Sequence, residues 1–131
     1  MPDTAITPTI SEDIKGKQAQ MPAYVSGSYV GDDTDYHALK VNAQGKGRLV
    51  YCVDNKTDQE VVALLYGSHS ATADVGDDGV FEIDSSTLTV AATSKEYGIS
   101  NDPFPHFIVR ASSSVAGDSE DVLVYVNFSA F

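Results

Sequence analysis

From Tyr24 onwards, apolar and polar residues alternate in short runs that are separated by turn-forming residues such as Gly76-Asp77-Asp78-Gly79. The runs cover residues 36–43, 48–54, 60–66, 80–83, 87–92, 107–111 and 121–128. They are rich in β-branched and aromatic residues and recur at intervals of about 8–12 residues, and no competing helical period is present. The pattern therefore predicts an all-β protein, built as an antiparallel β-sandwich or as a small barrel-like jelly roll.

Residues 1–22 have a different pattern, with few apolar positions and with prolines that oppose a helix. We therefore predict an extended N-terminal arm over residues 1–22 and a single β-sandwich domain over residues 23–131. Ile6, Ile10 and Ile14 recur every fourth residue in this arm. Two alternatives stay open for it: a loose terminus without a role, or an arm whose isoleucines pack against a neighbouring subunit.

The last run has two apolar faces. Alternation places Val122, Val124, Val126 and Phe128 on one face, and Leu123, Tyr125, Asn127 and Phe131 on the other. One face must belong to the core. We expect the other face either to be covered by a loop of the same chain or to contact a partner through Tyr125 and Phe131.

The charge balance limits the kinds of partner that the protein can bind. The chain has 131 residues, fits one domain, and combines 19 acidic with 8 basic residues, for a net charge of -11. This charge argues against binding to nucleic acid or to an anionic membrane surface, and no apolar run is long enough for a transmembrane helix. No ordinary signal peptide is visible. Because concentrated salt screens self-repulsion, we predict a product of a halophile; an ordinary acidic surface and calcium loading are the alternatives.

Candidate catalytic chemistry is weak. Cys52 is the single cysteine and stands among apolar neighbours, which predicts a small buried hydrophobic residue rather than a nucleophile. The histidines at 37, 69 and 106 lack zinc-like spacing. The segment Gly98-Ile99-Ser100-Asn101-Asp102 approaches a hydrolase elbow but lacks its second glycine. We therefore expect no catalytic residues and no enzyme activity.

Cation binding and glycosylation are the remaining candidates for site chemistry. Asp32, Asp33 and Asp35 share one turn and are weak candidates for a structural cation; a hydrated acidic loop is the preferred interpretation, since such a loop needs no ligand to explain it in a salt-adapted protein. We expect no other cofactor. The two glycosylation sequons begin at Asn55 and Asn127, and Asn55 is the more plausible acceptor because it lies in a predicted turn.

Two stretches resemble a known class of proteins. Residues 31–45 with 47–50 join an aspartate-rich turn to a Leu39-Lys40-Val41-Asn42 strand and a second strand, and residues 104–111 with 122–126 form a closing hairpin. Both are similar to strand pairs in small virion proteins of tailed phages and archaeal tailed viruses. The resemblance implies a β-sandwich on the head or tail surface, and it transfers no catalytic residues. The acidity points to a virus of a salt-loving archaeon.

The sequence thus leads to two functional hypotheses. The first is a non-enzymatic virion protein on the capsid surface (a decoration, turret or minor capsid protein) that forms a symmetric homo-oligomer and contacts other virion proteins such as the major capsid protein. The alternative is a carbohydrate-binding or adhesion module of a cell surface. The chain has no Trp for stacking on sugars, but it has seven Tyr.

Overall fold

The computed structural model describes residues 3–12, 22–43 and 46–129, which form eleven β-strands and no helix. The strands are β1 (Thr4–Ala5), β2 (Thr9–Glu12), β3 (Pro22–Val30), β4 (His37–Asn42), β5 (Arg48–Asn55), β6 (Val61–Ser68), β7 (Val80–Glu82), β8 (Leu88–Val90), β9 (Lys95–Ser100), β10 (His106–Ser112) and β11 (Asp121–Ser129). Among these residues there is accordingly no apolar helix of membrane-spanning length.

The strands form two sheets. The first sheet has the order β1-β4-β10-β6-β7, with β8 also paired to β6, and the second has the order β2-β3-β11-β5-β9. All neighbouring strands are antiparallel except β1 and β4, which run parallel. The prediction of an all-β protein with a sandwich architecture is confirmed.

The core lies between the two sheets, where alternate residues of each strand point inward. On β11 these residues are Val122, Val124 and Val126, as the alternation predicts, and all three are fully buried. They belong to two adjoining clusters that the partly buried Tyr29 and Leu88 both contact. Val124 and Val126 share the first cluster with Leu39, Leu49, Leu65, Phe107 and Val109, and Val122 shares the second with Val53. Because one face of each strand is buried in this core, only the opposite face can contact solvent, a loop or a partner.

The outer face of the first sheet is covered by the chain itself. Tyr66 and Ile108 form a small apolar cluster there, and Val75 packs against it from the loop between β6 and β7. Lys40 holds this loop, because its Nζ lies 2.7 Å from Oδ1 of Asp74. Residues 60–66 are therefore apolar on both faces because one face packs in the core and the other packs against a loop of the same chain.

The described part of the N-terminal segment is extended, and it lies in the sandwich rather than projecting from it. Its two strands, β1 and β2, add an edge strand to each sheet. Asp3 accepts two hydrogen bonds from Arg110, at 2.9 and 3.1 Å, so a bidentate ion pair fastens the start of β1 to the first sheet. The boundary predicted at residue 22 therefore does not separate residues 3–12 from the domain.

Ile6 closes the gap between the two sheets at this edge. It is only 4% exposed, and a Cβ atom added to Gly27 would lie 2.5 Å from its Cγ2 atom. The prediction that Ile6 contacts a neighbouring subunit is wrong, because its side chain fills a space in the core of its own chain. Ile10 is 61% exposed, so its partner contact stays a prediction, and Ile14 lies outside the described residues.

Candidate functional site

The outer face of the second sheet is the candidate site, and we call it the tyrosine face. It consists of the outward residues of four neighbouring strands: Tyr24, Ser26, Ser28, Val50, Cys52, Asp54, Lys95, Tyr97, Ile99, Leu123, Tyr125 and Asn127. Their common direction follows from the alternation of side chains along β3, β5, β9 and β11, whose other residues fill the core. In contrast to the first sheet, no described loop packs an apolar cluster against this face.

Strand register places two of the aromatic residues of the face, Tyr125 and Tyr97, in one row across the sheet. Ser26, Tyr125, Cys52 and Tyr97 are direct neighbours across β3, β11, β5 and β9. Tyr97 projects furthest, at 66% exposure, whereas Tyr125 is half-buried. The Tyr24 ring meets the Tyr125 ring edge to face, with centroids 5.8 Å apart, which holds Tyr125 in place.

The register of β9, and so the position of Tyr97, depends on a glycine beneath the face. Tyr51 points inward from β5 and donates a hydrogen bond of 2.6 Å to the carbonyl of Ser86. A Cβ atom on Gly98 would lie 2.5 Å from the Tyr51 ring, so only glycine leaves room for it. The segment that resembles a hydrolase elbow is thus part of an edge strand, and Ser100 is buried with its hydroxyl directed to Asp102.

Two shallow depressions lie on either side of Tyr125. The larger, of about 390 Å³, is lined chiefly by Cys52, Asp54, Lys95, Tyr97 and Tyr125. The smaller, of about 280 Å³, is lined chiefly by Thr7, Thr9, Ser26, Ser28, Leu123 and Tyr125. Tyr125, singled out from the sequence as a partner contact, is therefore a ridge between them; Phe131 lies outside the described residues.

The tyrosine face has a charge balance unlike that of the whole chain. Its charged residues are Asp54 and Lys95, whose Oδ2 and Nζ atoms are 4.0 Å apart. Arg48 and Asp121 stand at the two ends of the central strands and also cancel in formal charge. The face is therefore close to neutral, whereas the chain carries a net charge of -11.

Cys52 lies in the middle of this face and differs from its expected place in the core. It is half-buried between Tyr125 and Tyr97 in their row, and burial raises the pKa of its thiol. A raised pKa keeps the sulfur in the thiol form at neutral pH, which disfavours nucleophilic chemistry. The reactivity of the Cys52 thiol can nevertheless show whether another molecule covers the tyrosine face.

The acidic turn at residues 32–35 has a structural partner. Asp33 Oδ1 lies 2.9 Å from Nε2 of His37 and also accepts a hydrogen bond from the backbone N–H of Asp35. The hydrogen bond with His37 lowers the pKa of Asp33. Among the residues that the structure describes, no three His, Cys, Asp or Glu side chains are arranged to hold a metal ion, and Asp32, Asp33 and Asp35 do not form such a set.

The first glycosylation sequon is inaccessible. Asn55 is fully buried, and its Nδ2 donates hydrogen bonds to the carbonyls of Gln59, Val90 and Ala91. The expectation that Asn55 is the better acceptor is therefore wrong, because its side-chain amide is buried and engaged in these hydrogen bonds. Asn127, the asparagine of the second sequon, is exposed on β11.

Sequence reasoning missed Tyr97, Ile99 and Tyr24 as members of the site. The segment 95–100 was not predicted to be a strand because Gly98 interrupts the apolar pattern. The alternation of Lys95, Tyr97 and Ile99 was the available signal, since it places two apolar side chains on one face. Their proximity to Tyr125 depends on pairing between distant segments.

Comparison with known proteins indicates the fold alone. No protein-family model matches the chain, and no curated protein matches it in sequence. PliG of Aeromonas hydrophila, a periplasmic inhibitor of g-type lysozyme, is 12% identical over 82% of this chain and 85% of that one, with a TM-score of 0.47. PirA is 10% identical over 89% of this chain and 100% of that one, with a TM-score of 0.50. A carbohydrate-binding module, CBM4, is 8% identical over 95% of this chain and 78% of that one, with a TM-score of 0.46.

Proposed function

We propose that the protein is a non-enzymatic structural component of a virion, assembled on the capsid surface of a tailed virus that infects a halophilic host. In this role it is a decoration, turret or minor capsid protein. It forms a symmetric homo-oligomer and contacts other virion proteins such as the major capsid protein. It acts by surface contact, and neither nucleic acid nor a membrane is a partner.

The observation that carries the proposal is the tyrosine face. Tyr97 and Ile99 are neighbours on the outward side of β9 and are 66% and 49% exposed, and exposed apolar patches mark sites where proteins associate. Aromatic residues are enriched in protein interfaces, and charged residues are depleted from their centres. The near-neutral charge of the face lets another protein approach where the rest of the surface repels acidic partners.

The resemblance of residues 31–45 with 47–50, and of residues 104–111 with 122–126, to small virion proteins supports this role. The excess of 19 acidic over 8 basic residues supports a salt-rich host, because screening removes most of the self-repulsion there. The β-sandwich agrees with the architecture that the resemblance implies.

Mass spectrometry of purified virus particles tests the proposal. Particles from a halophilic culture that expresses the gene are separated on a density gradient, and the chain is quantified against the major capsid protein. We expect the chain in the particle fraction at a fixed ratio to the capsid protein. Its absence from particles, with recovery in the cell-envelope fraction, would contradict the virion role.

The second candidate is a carbohydrate-binding or adhesion module. The depressions on either side of Tyr125 favour it, because aromatic side chains on an open sheet can stack on sugar rings. Electrophoresis through gels that contain soluble polysaccharides tests this candidate. Retardation of the wild-type chain, and its loss on Tyr97→Ala, would favour sugar binding over assembly.

A further inference from the structure

We infer that the tyrosine face binds a second copy of itself, in a two-fold dimer whose axis runs along β11. This inference rests on the proposed assembly function and names the first contact of that assembly. In such a dimer each Tyr125 faces its counterpart across the axis. Each Tyr97 then enters the smaller depression of the other copy, beside Thr9 and Ser28.

The order of strands makes the face self-complementary about this axis. The central strand β11 has β5 and β9 on one side and β3 and β2 on the other. A two-fold rotation about an axis along β11 exchanges these sides, so β9 of one copy lies over β2 and β3 of the other. The projecting Tyr97 therefore meets the depression of about 280 Å³, which has room for one aromatic ring.

The charge of the tyrosine face is compatible with a second copy as the occupant. Two copies that each carry a net charge of -11 repel each other unless their contact surfaces lack that charge. The tyrosine face meets this condition, because Asp54 and Lys95 balance each other. The same rotation also places the Asp54–Lys95 side of one copy opposite the uncharged Ser26–Ser28 side of the other, so these two side chains meet no like charge. Asp121, which begins β11 and therefore lies near the axis, approaches its own counterpart, and concentrated salt screens that repulsion.

The size of the face suits a dimer that forms and dissociates. The four strands of the face, about 4.8 Å apart and each about 20–30 Å long, give a plan area of about 500 Å². Projecting side chains raise the accessible area above this value, toward the roughly 800 Å² per partner of a standard interface. We therefore expect association that depends on protein concentration and strengthens in concentrated salt, which favours apolar burial.

Cys52 provides a built-in probe, since it is the single cysteine and lies within the face. In the dimer it faces Ser26 of the other copy and is covered. Its rate of reaction with a coloured disulfide reagent should therefore follow the fraction of monomer, falling about 15-fold at a protein concentration of about 100 times the dissociation constant. Molar mass from light scattering on the same samples gives that fraction independently.

Two exposed aromatic residues give a matched pair of variants. Tyr97→Ala removes the ring that enters the depression, whereas Phe81→Ala removes a ring that is 52% exposed at the edge of the other sheet. We expect Tyr97→Ala to be monomeric with Cys52 reactive at every concentration. Phe81→Ala should retain both the dimer and the protection. Circular dichroism confirms that each variant is folded.

The possible outcomes separate this inference from the proposed function. Dimers that survive Tyr97→Ala with Cys52 equally reactive at all concentrations would overturn the assignment of the surface, while assembly through another face would stand. A monomer that is nevertheless found in virus particles would overturn the inference alone. Protection of Cys52 by a soluble polysaccharide, but not by protein concentration, would identify a sugar as the occupant and also overturn it.

Discussion

Replacing Asn55 by alanine removes a side chain that joins three segments of the sandwich. Its Nδ2 donates to the carbonyl of Gln59 at 2.7 Å and to those of Val90 and Ala91 at 3.2 Å. Its Oδ1 accepts from the backbone N–H of Thr57 at 3.0 Å and from the Thr57 hydroxyl at 2.7 Å. The residue thus connects the end of β5 to the following turn and to the end of β8.

The magnitude follows from the groups that lose their partner. Asn55 is fully buried, so water does not replace its hydrogen bonds without a change in packing. A buried polar group left unsatisfied costs about 1–3 kcal/mol. The Thr57 hydroxyl can keep its hydrogen bond of 3.0 Å to the carbonyl of Gln59 within the turn, so we expect a total loss of about 3–4 kcal/mol. For a chain of 131 residues, about 4 °C per kcal/mol converts this to a fall in melting temperature of about 12–16 °C.

The assay is reversible unfolding in denaturant, followed by circular dichroism at fixed salt concentration. Asn127→Ala is the matched control, because Asn127 is the other sequon asparagine and is exposed on β11. We expect that control to change the free energy of unfolding by less than about 0.5 kcal/mol. Equal effects of the two substitutions would refute the buried hydrogen-bond network around Asn55.

Three further predictions concern other parts of the fold. Ile6→Ala should lower the free energy of unfolding by about 2–3 kcal/mol in denaturant titrations, because it empties the space between the sheets. Gly98→Ala should lower it by about 1–3 kcal/mol, measured in the same way, because the new methyl group overlaps the Tyr51 ring. The lowered pKa of Asp33 adds stability that is present above its unfolded-state pKa, near 4, and is lost as pH falls through the folded value. Melting temperatures of Asp33→Asn should therefore decline less between neutral and acid pH than those of the wild type; an identical decline would show that the Asp33–His37 contact contributes nothing.

The fold class could be predicted from the sequence because burial imposes alternation on long strands. The clearest case is β11, where Val122, Val124 and Val126 lie in the core as their spacing predicts. The edge strand β9 was missed for a physical reason. At β9 the inward position is Gly98, because the Tyr51 ring occupies the space of a side chain, and the apolar pattern is lost.

The candidate site was predictable only in part, because it depends on pairing between distant segments. Tyr125 stood out since its own strand is apolar on both faces. Tyr97 gained significance only when register placed it two strands away from Tyr125. The opposite error occurred at Ile6 and Asn55, where a local pattern suggested exposure but long-range packing buries both side chains.

Molar mass by light scattering is the measurement that tests assembly, the central claim, most directly. It should be made at about 0.1 M and about 3 M salt, with circular dichroism on the same samples, since concentrated salt screens the net charge of -11. We expect a discrete folded oligomer at high salt, built on the dimer of tyrosine faces. A folded monomer at both salt concentrations, over the whole accessible range of protein concentration, would contradict it.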